Sequence, residues 1–177
     1  MLECSSALTE ADGEIEKAID ILRTKTASIV VNPDKEAKEG LVHTYTHQGG
    51  KLAVMVEVNC ATDFVGKSPA FGELVHNIAL QIAASSPQWV SPEQVPQEVI
   101  DREKAIYKGQ VADKSVQLQE KIAEGKLRKF FGEKCLMKQK SIKDDKTTVE
   151  QLVQQLAGQV KEPITIARFH RYQLGVS

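Results

Sequence analysis

Residues 41–65, LVHTYTHQGGKLAVMVEVNCATDFV, decide the fold of this chain. Apolar and polar residues alternate on both sides of Gly49-Gly50, most regularly in the second run. A period of two is typical of strands with one buried face, and a glycine pair between two such runs is typical of a tight turn. We therefore predict a β-hairpin with strands at residues 41–47 and 52–58.

An amphipathic helix follows the hairpin. Ser68 is a preferred N-cap residue and Pro69 suits the first helical position. The helix places its apolar residues on one face, at Phe71, Leu74, Val75, Ile78, Ala79 and Ile82. Two further helices are predicted near residues 97–107 and 113–130, the second capped by Asp113.

The C-terminal part supplies one more helix and one more strand. A capping box, formed by Thr147 with Glu150 or by Thr148 with Gln151, starts the helix. Residues 164–169 alternate as a strand that we expect to pair with the hairpin. The predicted fold class is α+β, with a three-stranded antiparallel sheet packed with helices.

A small helical module is predicted before this core. Residues 5–22 contain two short helical patterns around an Asp-Gly turn, and the stretch that follows loses all periodicity. We therefore divide the chain into a partial N-terminal helical module at residues 1–24, a linker at residues 25–40 and a core domain at residues 41–177.

Bulk composition favours a globular protein with a protein partner. The chain has 177 residues, of which 41% are hydrophobic and 27% charged. It shows neither a membrane-spanning run nor a leader pattern, so we expect no membrane association and a place in the bacterial cytoplasm or in an organelle stroma or matrix. A net charge of −1 argues against non-specific nucleic-acid binding.

Motifs of common enzyme and metal sites are missing from the sequence. Cys4, Cys60 and Cys135 lack the spacing of a disulfide framework or a zinc site. His43 and His47 are too far apart along an extended strand to share a metal ion. We therefore expect a protein that is not an enzyme, with no catalytic residue, no cofactor and no metal.

Two clusters remain as candidates for partner contacts. The stretch from Arg168 to Tyr172 is basic and aromatic, and would support an alternative function as a ribosome- or RNA-associated accessory module. The simpler interpretation, which we favour, is an edge strand with solvated charges. Phe64 lies in a polar loop outside both apolar repeats, and the residues alone favour its folding back into the core, with Asp63 capping a turn.

The sequences on both sides of that loop change the interpretation of Phe64. The segments GLVHTYTHQGGKLAVMVEVNCATDFVGK and LVHNIALQIAASSP resemble the hairpin, the N-C-x-T-D-F-V loop and the following helix of the translation elongation factor Ts family. ECSSALTEADGEIEKAIDILR is similar to that family's ubiquitin-associated-type module. GKLRKFFGEKCLMKQKSIKDDKTTVEQLVQQ and ITIARFHRYQLG resemble its closing helices and final strand.

The resemblance implies a guanine-nucleotide exchange factor that binds the GTPase EF-Tu, both GDP-bound and nucleotide-free, and disturbs its magnesium and phosphate site. The partner-binding residues that it implies in the loop are Thr62, Asp63, Phe64 and Val65. In the core helix it implies secondary contacts by Ile78, Leu80 and Gln81, the last at a position where long-form members often have a histidine.

The chain resembles a short form with a single core domain. The second core copy and the coiled-coil insert of long-form members are missing, and Met1 corresponds to the middle of the family's N-terminal module, so its first helix is expected to be absent. Since some short forms dimerise, we expect a homodimer as one assembly. Direct nucleic-acid binding is not expected.

Overall fold

A computed structural model describes residues 2–18, 21, 37–111 and 115–176. Most of the predicted linker and the predicted cap residue Asp113 lie outside the described residues. The division of the chain into a module, a linker and a core domain therefore stays a prediction.

One sheet of three antiparallel strands organises the molecule. The strands are β1 (Glu39–Thr46), β2 (Leu52–Cys60) and β3 (Ile164–Gln173), in the order β1-β2-β3. β2 is central because it pairs with β1 along one edge and with β3 along the other, where Cys60 lies opposite Ile164. The predicted hairpin, the pairing of the last strand and the α+β class are confirmed.

Glycines make both ends of the hairpin feasible. Gly49 and Gly50 adopt φ angles of 86° and 66° in the turn, a region that side chains with a Cβ rarely enter. At the open end Gly40 has a φ of 150°, and a Cβ there would lie 2.2 Å from the carbonyl oxygen of Val58. The backbone of β1 can approach β2 this closely only because residue 40 has no side chain.

The α-helices whose two ends are both described are α1 (Leu2–Glu10), α2 (Asp63–Gly66), α3 (Pro69–Ser85), α4 (Gln97–Gly109), α5 (Val116–Lys134) and α6 (Val149–Val160). Ser68 caps α3 by accepting a hydrogen bond from the Phe71 N–H, as predicted. Of the two capping boxes considered for α6, the structure has the one formed by Thr148 and Gln151. None of the described helices is long and apolar enough to cross a bilayer.

The core lies between one face of the sheet and two helices. Val54, Val56 and Val58 point inward from β2 and pack with the apolar face of α3, whose six predicted core residues are all buried. α6 adds Val149 and Val153 to the same cluster. Each fully buried side chain of this size contributes about 1.5–3 kcal/mol of transfer free energy, which makes this face a firm base for the loop beside it.

Several element boundaries differ from the predictions. β2 runs through Asn59 to Cys60, which we had placed in the loop, because the polar Asn59 occupies the outer, solvent-facing side of the strand while Cys60 is buried. β3 continues beyond the predicted end at residue 169 to Gln173, so His170 lies in a paired strand. α5 continues to Lys134 and ends only where Cys135 becomes extended.

The N-terminal segment forms its own small cluster. α1 is followed by a turn at residues 11–13 and by further helical residues at 15–18, in agreement with the predicted pair of short helices. Ala7, Ala11 and Ala18 are buried against each other, with Ile21 packed beside them. Alanines contribute little apolar area, so this cluster is small compared with the core.

Candidate protein-interaction site

Residues 62–66 lead the chain from the end of β2 into α3. Thr62 is extended, with φ −127° and ψ 147°, and its hydroxyl accepts a hydrogen bond from the Val65 N–H at 3.4 Å. Thr62 is therefore the N-cap of α2, a single helical turn. The expected irregular loop is a capped turn, and its cap is Thr62, not Asp63.

Two adjacent residues of α2 have opposite environments. Val65 is 4% exposed and belongs to the core cluster, whereas Phe64 is 87% exposed. Successive helical residues point about 100° apart, so anchoring Val65 in the core directs Phe64 away from it. The interpretation in which Phe64 folds back into the core is wrong.

An exposed ion pair lies beside the aromatic ring. Lys67 Nζ donates to Asp63 Oδ2 at 2.7 Å, and this hydrogen bond raises the pKa of Lys67. Both side chains are well exposed, and exposed ion pairs are weak and easily exchanged. The carboxylate of Asp63 is therefore accessible to a cation brought by a partner.

Two buried or half-buried groups hold the start of the turn. The Cys60 thiol donates to the carbonyl oxygen of Thr62 at 3.2 Å, and burial raises the pKa of Cys60, so the thiol keeps its proton at neutral pH. The Glu162 carboxylate accepts hydrogen bonds from the Thr62 N–H at 3.1 Å and from its hydroxyl at 3.0 Å. Thr62 is thus fixed through three of its polar groups.

Sequence reasoning missed the contributions of Glu162 and Cys60. Glu162 lies 100 positions from Thr62 in the chain, outside every motif that the sequence shows. A signal did exist: the antiparallel register that pairs Cys60 with Ile164 continues to place residue 162 across from residue 62. An acidic residue there can meet an unpaired N–H at the strand end.

The three core-helix residues are less accessible than the loop. Ile78 is 2% exposed and Gln81 is 3% exposed, while Leu80 is half-buried. Ile78 belongs to the apolar face of α3 that packs on the sheet. Only Leu80 of the three offers appreciable side-chain surface, and a role in partner binding stays a prediction for all of them.

Gln81 makes a polar connection inside the core. Its Nε2 lies within 3.0–3.1 Å of three acceptors, on Ser85, Gln139 and Lys140. Its Oε1 accepts from the Ile142 N–H at 2.8 Å. Gln81 therefore ties α3 to residues 139–142, the connection that leads into α6.

Two histidines that are distant in the sequence lie within hydrogen-bonding distance of each other. His43 Nε2 on β1 lies 3.1 Å from His76 Nδ1 on α3, and burial followed by the charge of His76 lowers the pKa of His43. His47 contacts the Tyr45 hydroxyl at 2.9 Å instead. Within the described ranges, no group of three or more His, Cys, Asp or Glu side chains is placed to hold a metal ion.

The basic cluster near the C-terminus is divided by the sheet. Arg168 donates to the Glu57 carboxylate at 2.7 Å, and His170 stacks with Tyr172 on the same outer face. Arg171 points to the other side and donates to the carbonyl oxygen of Ala83 at the end of α3. The two guanidinium groups therefore do not form one basic patch.

Comparison with known proteins identifies the family of this chain. The sequence profile of the family described as Elongation factor TS matches residues 4–176. Elongation factor Ts of Moorella thermoacetica is 47% identical over 99% of this chain and 88% of that protein. The proteins of the same name from Syntrophobacter fumaroxidans and Syntrophomonas wolfei are 45% and 48% identical over 99% of this chain and 89% and 83% of their own lengths. The chain therefore belongs to the elongation factor Ts family of translation elongation factors.

Proposed function

We propose that this protein is the guanine-nucleotide exchange factor of EF-Tu, and that it promotes GDP release by disturbing the magnesium and phosphate site of that GTPase. The observation that carries the proposal is the exposed ring of Phe64, which projects from a turn fixed at both ends. An aromatic side chain held in this way is poised to enter a partner. Family membership identifies EF-Tu as that partner.

Exchange follows from reciprocal linkage between two ligands of one protein. A factor that prefers the distorted, magnesium-poor form of EF-Tu must weaken nucleotide binding by the same ratio in which nucleotide weakens factor binding. Each tenfold weakening requires about 1.4 kcal/mol of differential contact. Burial of one aromatic side chain contributes on the order of 2–3 kcal/mol, so Phe64 needs support from a wider docking surface.

The four loop residues take different parts in this proposal. Phe64 enters the partner, and Asp63 offers its carboxylate to the same surface. Thr62 caps the turn and Val65 anchors it in the core, so these two hold the turn in place. A proposed secondary contact on α3 is made by Leu80, with Ile78 and Gln81 holding the helix face beneath it.

The test is release of a fluorescent GDP analogue from EF-Tu, followed after mixing with excess unlabelled GDP. Wild type is expected to accelerate release. Phe64→Ala should lower the acceleration by roughly tenfold or more, since most of the burial energy of the ring is lost. Leu174→Ala is the matched control, because Leu174 is also an exposed apolar residue. Unchanged release with wild type would contradict the proposal.

Asp63→Asn separates charge from shape in the same assay. The amide keeps the size of the side chain but removes the negative charge and weakens the bond to Lys67. If Asp63→Asn lowers the acceleration and Lys67→Met does not, the negative charge of Asp63 acts on the partner surface. An equal loss in both variants would limit Asp63 to its role within the turn.

A homodimer is a further part of the proposal. The outer face of the sheet exposes the apolar or aromatic side chains of Val42, Met55 and Tyr172, which a second copy would cover. Sedimentation over a range of concentrations tests this assembly. A mass of one chain at every concentration would exclude it, while a dimer that Met55→Glu dissociates would locate it on this face.

We also propose the cytoplasm as the site of action, in keeping with the bacterial relatives.

A further inference from the structure

We propose that Glu162 is the positioning residue of the interaction site: its carboxylate fixes Thr62, and through Thr62 it sets the direction in which α2 presents Phe64. The inference rests on the proposed function, because the group that is positioned is the aromatic ring assigned to EF-Tu.

Glu162 holds one residue at two points. The Thr62 N–H donates to Oε2 at 3.1 Å, and the Thr62 hydroxyl lies 3.0 Å from both Oε1 and Oε2. Hydrogen bonds to a carboxylate are shorter and stronger than those between neutral groups. Because main chain and side chain are both held, neither the backbone at Thr62 nor its χ1 angle is free to change.

The carboxylate also determines what the hydroxyl can do next. A threonine hydroxyl has one proton and two lone pairs. With its proton directed at Glu162, the hydroxyl presents a lone pair to the Val65 N–H and accepts a hydrogen bond from it at 3.4 Å. The bond to Glu162 polarises the hydroxyl and makes it a better acceptor. Glu162 therefore supports the N-cap of α2 without touching α2.

Phe64 depends on this support more than a buried residue would. Its side chain is 87% exposed, so few neighbouring atoms restrict it, and its position follows the backbone between Thr62 and Val65. The core holds Val65, and Glu162 holds Thr62. Without Glu162, Thr62 would keep the bond from the Cys60 thiol but lose the anchors of its N–H and its hydroxyl. This end of the turn would then be more mobile, and entropy of ordering the ring would be lost on binding.

Glu162 itself has a fixed backbone. It follows the left-handed C-cap residue Lys161 and precedes the buried Pro163, and its N–H donates to the carbonyl oxygen of Ala157 at 3.2 Å. The end of α6 and the start of β3 thus aim the side chain at the far end of β2. The support of the turn comes from the core and does not depend on the turn's own conformation.

Amide hydrogen exchange tests the positioning without any partner. Glu162→Gln keeps the length of the side chain but removes its charge and one of its two acceptors. We expect exchange of the Val65 amide to become roughly tenfold faster while the melting temperature changes little. Glu124→Gln, at an exposed carboxylate on α5, is the control. Unchanged protection at Val65 in Glu162→Gln would overturn the inference, whether or not the protein acts on EF-Tu.

A double-mutant cycle in the GDP-release assay connects positioning to function. Glu162→Ala should lower the acceleration by roughly tenfold in the wild-type background and by much less in the Phe64→Ala background, because the two residues act through one group. Equal losses in both backgrounds would overturn the inference. If wild type accelerates release and Glu162→Ala does so equally, the positioning role fails while the exchange function stands.

Thr62 variants provide a second route if Glu162→Ala proves unstable. Thr62→Ser keeps the hydroxyl and should behave as wild type in both measurements. Thr62→Val keeps the shape, removes the hydroxyl and should reproduce the loss seen with Glu162→Gln. Loss of protection at Val65 in Thr62→Ser as large as in Thr62→Val would contradict a role for the hydroxyl.

Discussion

The turn at residues 62–66 and the middle of α3 were both predicted to bind the partner, yet the structure builds them in opposite ways. In the turn, hydrogen bonds hold the backbone so that an aromatic ring can lie in solvent. In α3, the side chain of Gln81 is hydrogen-bonded inside the protein, and Ile78 packs in the core. Similar sequence evidence thus pointed to one exposed site and one largely internal one.

The difference teaches how periodicity limits what a resemblance implies. Ile78 lies on the apolar repeat of α3, and Gln81 lies seven residues after Leu74, two turns along the same face. Their burial was therefore predictable from spacing alone. Phe64 belongs to no repeat, and in its case the resemblance and the exposure agree. Contacts inferred from a family are strongest where the local pattern leaves a residue unexplained.

The largest expected effect would come from Gln81 and would concern stability. Gln81→Ala removes a buried amide and leaves the Ile142 N–H and the Gln139 side chain without this partner. Each buried polar group left unsatisfied costs about 1–3 kcal/mol, so the free energy of unfolding should fall by about 2–4 kcal/mol in urea denaturation.

Gln154→Ala is the control for this change, since Gln154 is an exposed glutamine in the interior of α6. It should change the free energy of unfolding by no more than about 0.5 kcal/mol. If Gln81→Ala were as stable as this control but defective in GDP release, the contrast between the two regions would be broken and Gln81 would be a contact residue.

Local patterns predicted the parts of the fold that depend on near neighbours. The alternation from Leu52 to Val58, the glycine pair in the turn and the cap at Ser68 each belong to one short segment, and each was found as expected. The pairing of the last strand was predicted from topology. The predicted ends of the strands were less accurate. Asn59 was placed in the loop because it is polar, but it occupies the outer face of the sheet.

Contacts between distant segments could not be predicted in the same way. Thr62 meets Glu162 and His43 meets His76 only after the sheet and its helices are assembled. Whether Phe64 lies inside or outside is also decided by assembly, because the orientation of the turn is fixed by the burial of Val65 and by the hydrogen bonds from Thr62 to Glu162. The loop sequence identified the site, and the core determines its geometry.

A second, smaller effect should come from the residue that joins the two regions. Ser68 Oγ donates to the Val65 carbonyl at 2.8 Å and accepts from the Phe71 N–H, so it ends α2 and caps α3. Ser68→Ala should lower the free energy of unfolding by about 1 kcal/mol. Ser68→Asp, which can still cap α3, should recover part of it, and equal stability of Ser68→Ala and wild type would show that the cap is not needed.

A third effect is the pH dependence of stability that arises from His43 and its contact with His76 on α3. The pKa of His43 is lowered below 6.5 by burial and by His76, whose ring also contacts Tyr45. Between the lowered pKa of His43 in the folded protein and its ordinary value of 6.5, the unfolded chain therefore binds more protons than the folded chain. The contribution of His43 to the free energy of unfolding falls as the pH drops below about 6.5. Urea midpoints at pH 7.5 and 5.5 should differ less in His43→Gln than in wild type. An unchanged difference would contradict the assignment.

The smallest expected effect on stability is that of Phe64→Ala, and its smallness is what distinguishes the turn from α3. The ring loses little solvent contact on folding, and alanine suits the one turn of α2 at least as well, so the free energy of unfolding should change by no more than about 0.5 kcal/mol. A loss of 2 kcal/mol or more would mean that Phe64 packs inside the free protein. An unchanged stability, together with a slower release of GDP, would mean that the aromatic surface is kept exposed for burial in a partner.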